Sequence, residues 1–287
     1  MTDHTSPECI CVQHARALPW PTSDTHKHSR GRLAVVAGAS LQTGAARLAA
    51  RAGQRIGAGW VSLFGSRSAC DIMAHHETSI LICEFDHQAP LAHQLADFDA
   101  IVIGPALGLD AVSRGFVTDL IKHHSNNLVL DADALVHIGA DKVALFQALK
   151  ARPNPAILTP HSGEFDTLFG PFHPSNKIVA TIAAARQSGC VIVHKGATTV
   201  LAHPDGQIAV STCSAPFLAT AGTGDVLAGM IGGLSAQGLP SLAACKAAIW
   251  IHREAGRRIG PGLIAEDLIN ELPNILVELR AGTAVYP

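Results

Sequence analysis

A short run of small residues carries the residue types that phosphoryl chemistry requires. Residues 221–224 precede an apolar run at 226–234 that predicts a buried helix, and Asp225 falls in the first turn of that helix. Backbone N–H groups at a helix N-terminus bind anions, and a carboxylate beside them can accept the proton of a hydroxyl. A glycine-rich turn that is merely capped by an acidic residue gives the same pattern. The predicted anion hole consists of Ala221, Gly222, Thr223 and Gly224.

Four other short segments follow apolar runs in the same way. They read GPALG at 104–108, DAD at 131–133, TPHSGE at 159–164 and KGATT at 195–199. In parallel α/β sheets, ligands bind beyond the carboxyl ends of the strands. Any one of these segments fits ordinary loop chemistry, but together with residues 221–225 they predict one site along one rim of a sheet.

Individual residues of these segments also have purely structural interpretations. Asp131 fits a helix cap as well as a functional group, and Glu164 fits a cap of the helix that follows it. His161 follows a proline in an exposed loop, which favours a function. Lys195 fits a snorkelling side chain, but a lysine at a strand end opposite a phosphate-binding loop favours phosphate binding.

Composition limits the class of protein. The net charge is −2 over 287 residues and no basic run occurs, which argues against a nucleic-acid partner. The seven cysteines are scattered, and neither CxxC nor HExxH occurs, so we do not expect structural zinc. No signal-like or membrane-spanning apolar run is present, which predicts no membrane association and a reducing, cytoplasmic location.

Strand-like and helix-like patterns alternate along the chain. Apolar runs that are typical of buried parallel strands occur at 33–37, 60–64, 79–83, 100–103, 127–130, 156–158 and 191–194. Helical patterns occur at 44–56, 91–95, 112–122, 142–149, 178–187, 224–237, 242–259 and 265–279, and a hairpin is predicted at 198–210. This alternation predicts a three-layer, doubly wound α/β fold with a mostly parallel sheet. We expect residues 1–25 to form an N-terminal extension, loosely ordered up to about residue 30, and residues 26–287 to form one domain.

The ordered set of motifs resembles one family, the ADP/ATP-dependent NAD(P)H-hydrate dehydratases of the ribokinase-like superfamily. The resemblance spans residues 26–279 and rests on HKHSRG at 26–31, TGAA at 43–46, the 104–108 loop, LDADAL at 130–135, TPHSGEF at 159–165, KGATT at 195–199 and residues 218–229. It implies a ribokinase-like fold and the repair of a hydrated, damaged nicotinamide cofactor to NADH or NADPH, using ADP or ATP and Mg²⁺. The implied substrate is (6S)-NADHX or NADPHX.

The resemblance also implies residue roles. It assigns contacts with the hydrated nicotinamide nucleotide to Ala45, Gly104, Ala106, His161 and Asp225. It assigns the binding of the adenine nucleotide to Lys195, Gly196, Ala197, Thr198, Thr199 and Gly224. Asp225 would take the proton of the C6 hydroxyl while residues 221–224 stabilise the transferred phosphoryl group. Glu164 is a candidate for organising the metal.

Three positions depart from the family pattern. Ala106 stands where a second glycine is expected, which restricts the backbone. Residues 214–217 read SAPF where Asn-Pro-Gly is expected, and Ala221 replaces a common glycine. Residues 222–225 are intact, which favours retained activity.

Alternatives and partners complete the prediction. Many relatives carry an N-terminal epimerase domain, and about 25 residues are too few to encode one, so we expect a separate epimerase.

A ribokinase-like kinase of a small alcohol such as hydroxyethylthiazole would use the same loop and base. A degenerate nucleotide-binding module is the non-enzyme alternative, and the presence of Asp225 and Lys195 argues against it. We expect a homo-oligomer.

Overall fold

The computed structural model describes residues 7–86, 88–212 and 215–283. Within those residues the strands are β1 (Glu8–Cys9), β2 (Arg32–Val36), β3 (Trp60–Gly65), β4 (Leu81–Glu84), β5 (Ala100–Ile103), β6 (Asn127–Leu130), β7 (Ile157–Leu158), β8 (Val191–His194), β9 (Thr199–Ala202) and β10 (Ile208–Ser211). They form one sheet in the order β1-β10-β9-β8-β7-β6-β5-β2-β3-β4. Only β9 runs antiparallel to its neighbours. The prediction of a mostly parallel, doubly wound sheet is confirmed.

Helices cover both faces of this sheet. They are α1 (Val12–Arg16), α2 (Thr43–Arg55), α3 (Arg67–His76), α4 (Leu91–Gln94), α5 (Ala111–His123), α6 (Asp133–Ala140), α7 (Lys142–Lys150), α8 (Ser162–Phe169), α9 (Lys177–Ser188), α10 (Thr223–Ala236), α11 (Ser241–Ile259) and α12 (Ala265–Ala281). Buried residues of α1–α3 and α10–α12 form one core cluster, and those of α4–α9 form the other. The result is the predicted three layers.

Strand β2 shows how the sequence serves both layers. Leu33 and Val35 lie in the first cluster, whereas Ala34 and Val36 lie in the second, because successive side chains of a strand point to opposite faces. All four residues are fully buried. A continuous apolar run is therefore required here, as expected for a central parallel strand.

The strand order reverses between β2 and β5, which makes this gap the topological switch point of the sheet. The loops that leave these two strands touch each other: a Cβ placed on Gly38 would lie 1.6 Å from the Ala106 carbonyl oxygen. Crevices at such switch points are where doubly wound sheets bind ligands.

The N-terminal residues are packed rather than loosely ordered, so that expectation is wrong for residues 8–18. β1 pairs in parallel with β10, and the side chains of Ile10 and Ala15 are fully buried. Helix α1 packs against α11, because its apolar residues line up on the face towards the domain. The predicted division between an extension and a domain stays a prediction.

Close packing of α2 and α10 fixes the direction of both helices. A Cβ on Gly229 of α10 would lie 2.1 Å from the Ala49 carbonyl oxygen, and one on Gly233 would lie 2.6 Å from the Gly53 carbonyl oxygen. The two backbones approach so closely because glycine leaves no side chain between them. Within the described part of the chain, no helix is long and apolar enough to cross a membrane.

Candidate active site

The loop before α10 has the geometry of an anion-binding turn. Gly222 is the N-cap of the helix at φ +88°, a left-handed conformation that glycine adopts without strain. Among the described residues, the backbone N–H groups of Gly224 and Asp225 have no acceptor, whereas that of Val226 bonds to the Gly222 carbonyl. Two donors therefore point out of the N-terminus of a 14-residue helix, where the dipole also favours negative charge.

Asp225 lies in the first turn of α10, as the sequence predicts. The pKa of its carboxyl is raised to about 6, and burial is the main cause. The negative charges of Asp131 and Glu164 also raise this pKa, and together they outweigh the opposite effect of Lys195. No hydrogen bond to this carboxylate occurs within the described chain. A carboxylate with a pKa near 6 is ionised at neutral pH and accepts a proton more readily than an ordinary aspartate.

Asp131 and Lys195 form a buried ion pair in front of this carboxylate. The Lys195 Nζ lies 2.9 Å from the Asp131 Oδ1, and the side chains are 18% and 2% exposed. Burial disfavours the charged ammonium, but Asp131, Glu164 and Asp225 together outweigh it and raise the pKa of Lys195. The Lys195 Nζ also lies beside Gly224, where an added Cβ would be 3.2 Å away. A fixed positive charge therefore lies next to the anion-binding turn.

A cavity of about 420 Å³ opens beside this turn. Five of the six predicted nucleotide-binding residues line it, namely Lys195, Gly196, Ala197, Thr199 and Gly224. The side chains of Leu218, Leu227 and Ile249 form an apolar part of the wall. A cavity with a cation and free amides at one side and an apolar wall suits a molecule that carries both phosphates and a planar base.

Thr198, the sixth predicted nucleotide-binding residue, is not in the wall of the cavity. Its carbonyl oxygen accepts a hydrogen bond of 2.7 Å from the Lys177 Nζ, which lies behind the 195–199 loop. The sequence alone does not indicate Lys177, because nothing in the residues around it marks a contact 21 positions away.

His161 and Glu164 cap helix α8. The His161 Nδ1 accepts a 3.1 Å hydrogen bond from the Glu164 N–H, and the Glu164 Oε2 accepts one of 2.7 Å from the His161 N–H. This is a reciprocal capping box. The His161 side chain remains 61% exposed, whereas that of Glu164 is 17% exposed. These positions fit both the helix cap and the ligand-binding role that the sequence predicts.

The predicted substrate-binding residues of the other loops lie around the switch point. Gly104 has φ +124°, and a Cβ there would lie 1.8 Å from the Asp131 carbonyl oxygen, so only glycine fits. Ala106 has φ +51°, a left-handed conformation that is strained for alanine. Ala45 is half-buried in the first turn of α2. In the segment before α10, Ser214 lies outside the described residues, and Ala215 and Pro216 line the cavity.

Two further residues of α11 complete the wall, and neither is indicated by the sequence. His252 donates its Nε2 hydrogen to the Thr223 carbonyl at 2.9 Å, and burial lowers its pKa to about 4. Arg253 is 7% exposed and its Nη1 lies 3.4 Å from the Ser211 hydroxyl. Both lie in an amphipathic helix, where a histidine or arginine next to apolar residues carries no signal of a distant cavity.

The family model for NAD(P)H-hydrate dehydratase matches residues 33–274. The chain belongs to the NAD(P)H-hydrate dehydratase family. This confirms the resemblance inferred from the motifs. An ADP-dependent (S)-NAD(P)H-hydrate dehydratase of Xanthomonas campestris pv. campestris is 33% identical, over 93% of this chain and 95% of the relative. The bifunctional NAD(P)H-hydrate repair enzyme Nnr of Moorella thermoacetica is 33% identical over 97% of this chain.

The chain spans about half the length of the bifunctional members of the family that it matches, 56% in the Moorella protein. Among solved structures, the ADP/ATP-dependent NAD(P)H-hydrate dehydratase of Bacillus subtilis, co-crystallised with ATP/Mg²⁺, superposes with a TM-score of 0.81. It is 27% identical, and the match covers 96% of this chain and 99% of that one. A ribokinase-like protein of Enterococcus faecalis superposes with a TM-score of 0.83 at 22% identity, covering 95% and 96% of the two chains. The fold of this family member is therefore ribokinase-like, as predicted.

Proposed function

We propose that the chain catalyses the nucleotide-dependent dehydration of (6S)-NADHX or NADPHX to NADH or NADPH. The observation that carries the proposal is the Asp225 carboxyl, with its pKa raised to about 6, in the first turn of a helix whose Gly224 and Asp225 amides are free. Membership of the dehydratase family supports the choice of substrate. The adjoining cavity of about 420 Å³ supports a second ligand beside the base.

The proposed chemistry solves a leaving-group problem. The C6 hydroxyl of the hydrate leaves poorly as hydroxide, whereas a phosphate ester leaves well. Asp225 accepts the hydroxyl proton as the C6 oxygen attacks the terminal phosphorus of the nucleotide and the bond to the bridging oxygen breaks. The lone pair of the ring nitrogen then expels inorganic phosphate, and loss of a proton from C5 forms the C5=C6 double bond. The products are reduced nicotinamide, phosphate, and AMP from ADP or ADP from ATP.

Each part of the cleft has a separate task in this proposal. The amides of Gly224 and Asp225 stabilise the charge on the transferred phosphoryl group, because they are fixed donors at a helix N-terminus. Lys195, held by Asp131, supplies a positive charge on the nucleotide side. The loops that contain Ala45, Gly104, Ala106 and His161 take the hydrated nicotinamide nucleotide.

Mg²⁺ fits this site as a partner of the nucleotide rather than as a resident of a protein cage. Among the described residues, no group of three His, Cys, Asp or Glu side chains can hold a metal. Magnesium is commonly held by one or two carboxylates together with phosphate oxygens. Glu164 would supply one such oxygen, and the ion would neutralise charge on the phosphates.

Nucleotide choice and partners belong to the same proposal. We expect ADP to outperform ATP, in keeping with the name of the Xanthomonas relative. A separate epimerase would convert the other hydrate epimer, and the relatives of about twice this length are named bifunctional NAD(P)H-hydrate repair enzymes. We further propose that the chain works in the cytoplasm as a homo-oligomer.

One assay tests the proposal. Purified protein is mixed with hydrated NADPH, Mg²⁺ and either ADP or ATP, and the absorbance of the reduced nicotinamide is followed together with released phosphate. We expect both signals to rise at equal rates and to need nucleotide and metal. Stable accumulation of a phosphorylated alcohol would instead indicate the small-molecule kinase, which shares the loop and base.

A further inference from the structure

The loop at 195–198 is held from behind by a lysine on another helix. The Lys177 Nζ donates a hydrogen bond of 3.0 Å to the Lys195 carbonyl and one of 2.7 Å to the Thr198 carbonyl. Lys177 is the first residue of α9 and does not line the cavity. One ammonium group, which is not part of the cavity wall, therefore joins both ends of the loop.

The contact determines the direction of a backbone amide. The Lys195 carbonyl and the Gly196 N–H belong to one planar trans peptide, so they point in opposite directions. Because the carbonyl points to Lys177, the Gly196 N–H points away from Lys177, and Gly196 lines the cavity whereas Lys177 does not. Within the described chain this N–H has no acceptor.

The absence of a side chain at Gly196 leaves room for the Lys177 ammonium. Gly196 has φ +151°, and a Cβ at this position would lie 2.9 Å from the Lys177 Nζ. A side chain would therefore displace the ammonium or the loop. The glycine gives the loop no rigidity of its own, because glycine has more backbone freedom than any other residue. Hydrogen bonds from outside the loop are what keep it in one conformation.

The position of Lys177 is unfavourable for a positive charge in other respects. It lies at the N-terminus of α9, where the helix dipole repels cations. Burial removes part of the hydration of its ammonium and thereby lowers the pKa of the amine to about 8. The start of α9 is linked to β8, because the Thr181 hydroxyl donates to the Lys177 carbonyl at 2.7 Å and lies 3.1 Å from the Nδ1 of buried His194.

We propose that Lys177 is a positioning residue for the adenine nucleotide. It holds the 195–198 loop so that the Gly196 amide faces the phosphates. This inference rests on the proposed function, because it requires a nucleotide in the cavity. It predicts that Lys177 acts on nucleotide binding and leaves the hydrate side of the cleft unaffected.

The test compares Lys177→Met, Lys177→Arg and the control Lys122→Met in the full chain. Lys122 is exposed on α5, so its replacement removes a lysine of the same charge without touching the cleft. Binding of a fluorescent ADP analogue and the KM values for ADP and for hydrated NADPH are measured, with thermal unfolding as a check of folding.

We expect Lys177→Met to weaken ADP-analogue binding about tenfold, as the loss of charged hydrogen bonds implies, with the KM for the hydrate within about twofold of the parent. Lys177→Arg retains donors and should recover most of the affinity, and Lys122→Met should bind like the parent. Unchanged ADP binding in Lys177→Met would overturn the proposal, as would an equal loss of both ligands. Failure of the parent to bind ADP or ATP would instead refute the proposed function itself.

Discussion

Asp131 at the end of β6 and Asp225 at the start of α10 are carboxylates of one site in different surroundings. Asp131 is 2% exposed and held by the Lys195 ammonium at 2.9 Å. Asp225 has no hydrogen-bonding partner within the described chain, and burial together with the charge of Asp131 raises its pKa to about 6. The first carboxylate is neutralised and positions a cation, whereas the second remains available to take a proton. The same residue type thus serves two purposes because, of the two carboxylates, only Asp131 forms a salt bridge with Lys195.

The strongest test of this difference replaces Asp225 with asparagine. Asp225→Asn keeps the size of the side chain and removes the proton acceptor, so turnover should fall by about a hundredfold or more. Steady-state rates of dehydration, with ADP saturating, measure the effect. Near-normal turnover would rule out Asp225 as the base.

The stability of this variant sharpens the test. The pKa of Asp225 is raised in the folded chain, so the folded state binds its proton more tightly than the unfolded state does between about pH 4 and pH 6. The stabilisation from this proton is present at low pH and is lost as the pH rises through 6. At pH 7 the ionised group therefore lowers stability, and Asp225→Asn should unfold at a temperature no lower than the parent.

The matched substitution at Asp131 should behave in the opposite way. Asp131→Asn removes the counter-ion of a nearly buried ammonium, which should cost about 1–3 kcal/mol in the free energy of unfolding, because an amide oxygen still accepts one hydrogen bond. Chemical denaturation at pH 7 gives this value. Equal stability of the two asparagine variants would show that the two carboxylates do not differ as described.

Lys195 links the two carboxylates, and its removal should affect both nucleotide binding and pH dependence. Lys195→Ala should raise the KM for the nucleotide about tenfold or more and the KM for the hydrate far less. Since Lys195 lowers the pKa of Asp225 and Asp131 raises it, the acid limb of kcat/KM should move to higher pH in Lys195→Ala and to lower pH in Asp131→Asn. A selective defect in hydrate binding would place Lys195 in the other half of the cleft.

Local patterns predicted the sheet well but left short elements undetected. The patterns located the seven parallel strands β2–β8 and the antiparallel hairpin of β9 and β10. In the central strands burial on both faces requires continuous apolar residues, whereas the edge strand β4 is partly exposed. Helices α6 and α8 have eight residues each and begin three and four positions after the last residue of a strand, so their first turns were interpreted as loops. The capping box of α8 uses His161 in place of the usual serine or threonine.

The components of the site were predictable, but their pairing was not. The sequence indicated Asp131, Lys195 and Asp225 separately, since each follows an apolar strand or opens a helix. The ion pair joins residues 64 positions apart, and only the sheet order brings them together. The same holds for Lys177, whose two acceptors lie 18 and 21 positions away.

Backbone strain in the two regions gives the smallest expected effect. Ala106 has φ +51°, whereas the loop before α10 has glycine at its left-handed position, Gly222. A left-handed alanine costs about 1–2 kcal/mol, and the extra freedom of glycine in the unfolded chain cancels part of the gain from replacing it. Ala106→Gly should therefore raise the free energy of unfolding by about 0.5–1 kcal/mol.

An ordinary helical alanine supplies the control for this last prediction. Ala183 is exposed in the middle of α9, where glycine in place of alanine should lower the free energy of unfolding by about 1 kcal/mol. Denaturant unfolding of both variants and the parent should thus give changes of opposite sign. A loss of stability in Ala106→Gly comparable with that in Ala183→Gly would mean that the 104–108 loop holds its alanine without strain, so that this departure from the family pattern carries no cost to the fold.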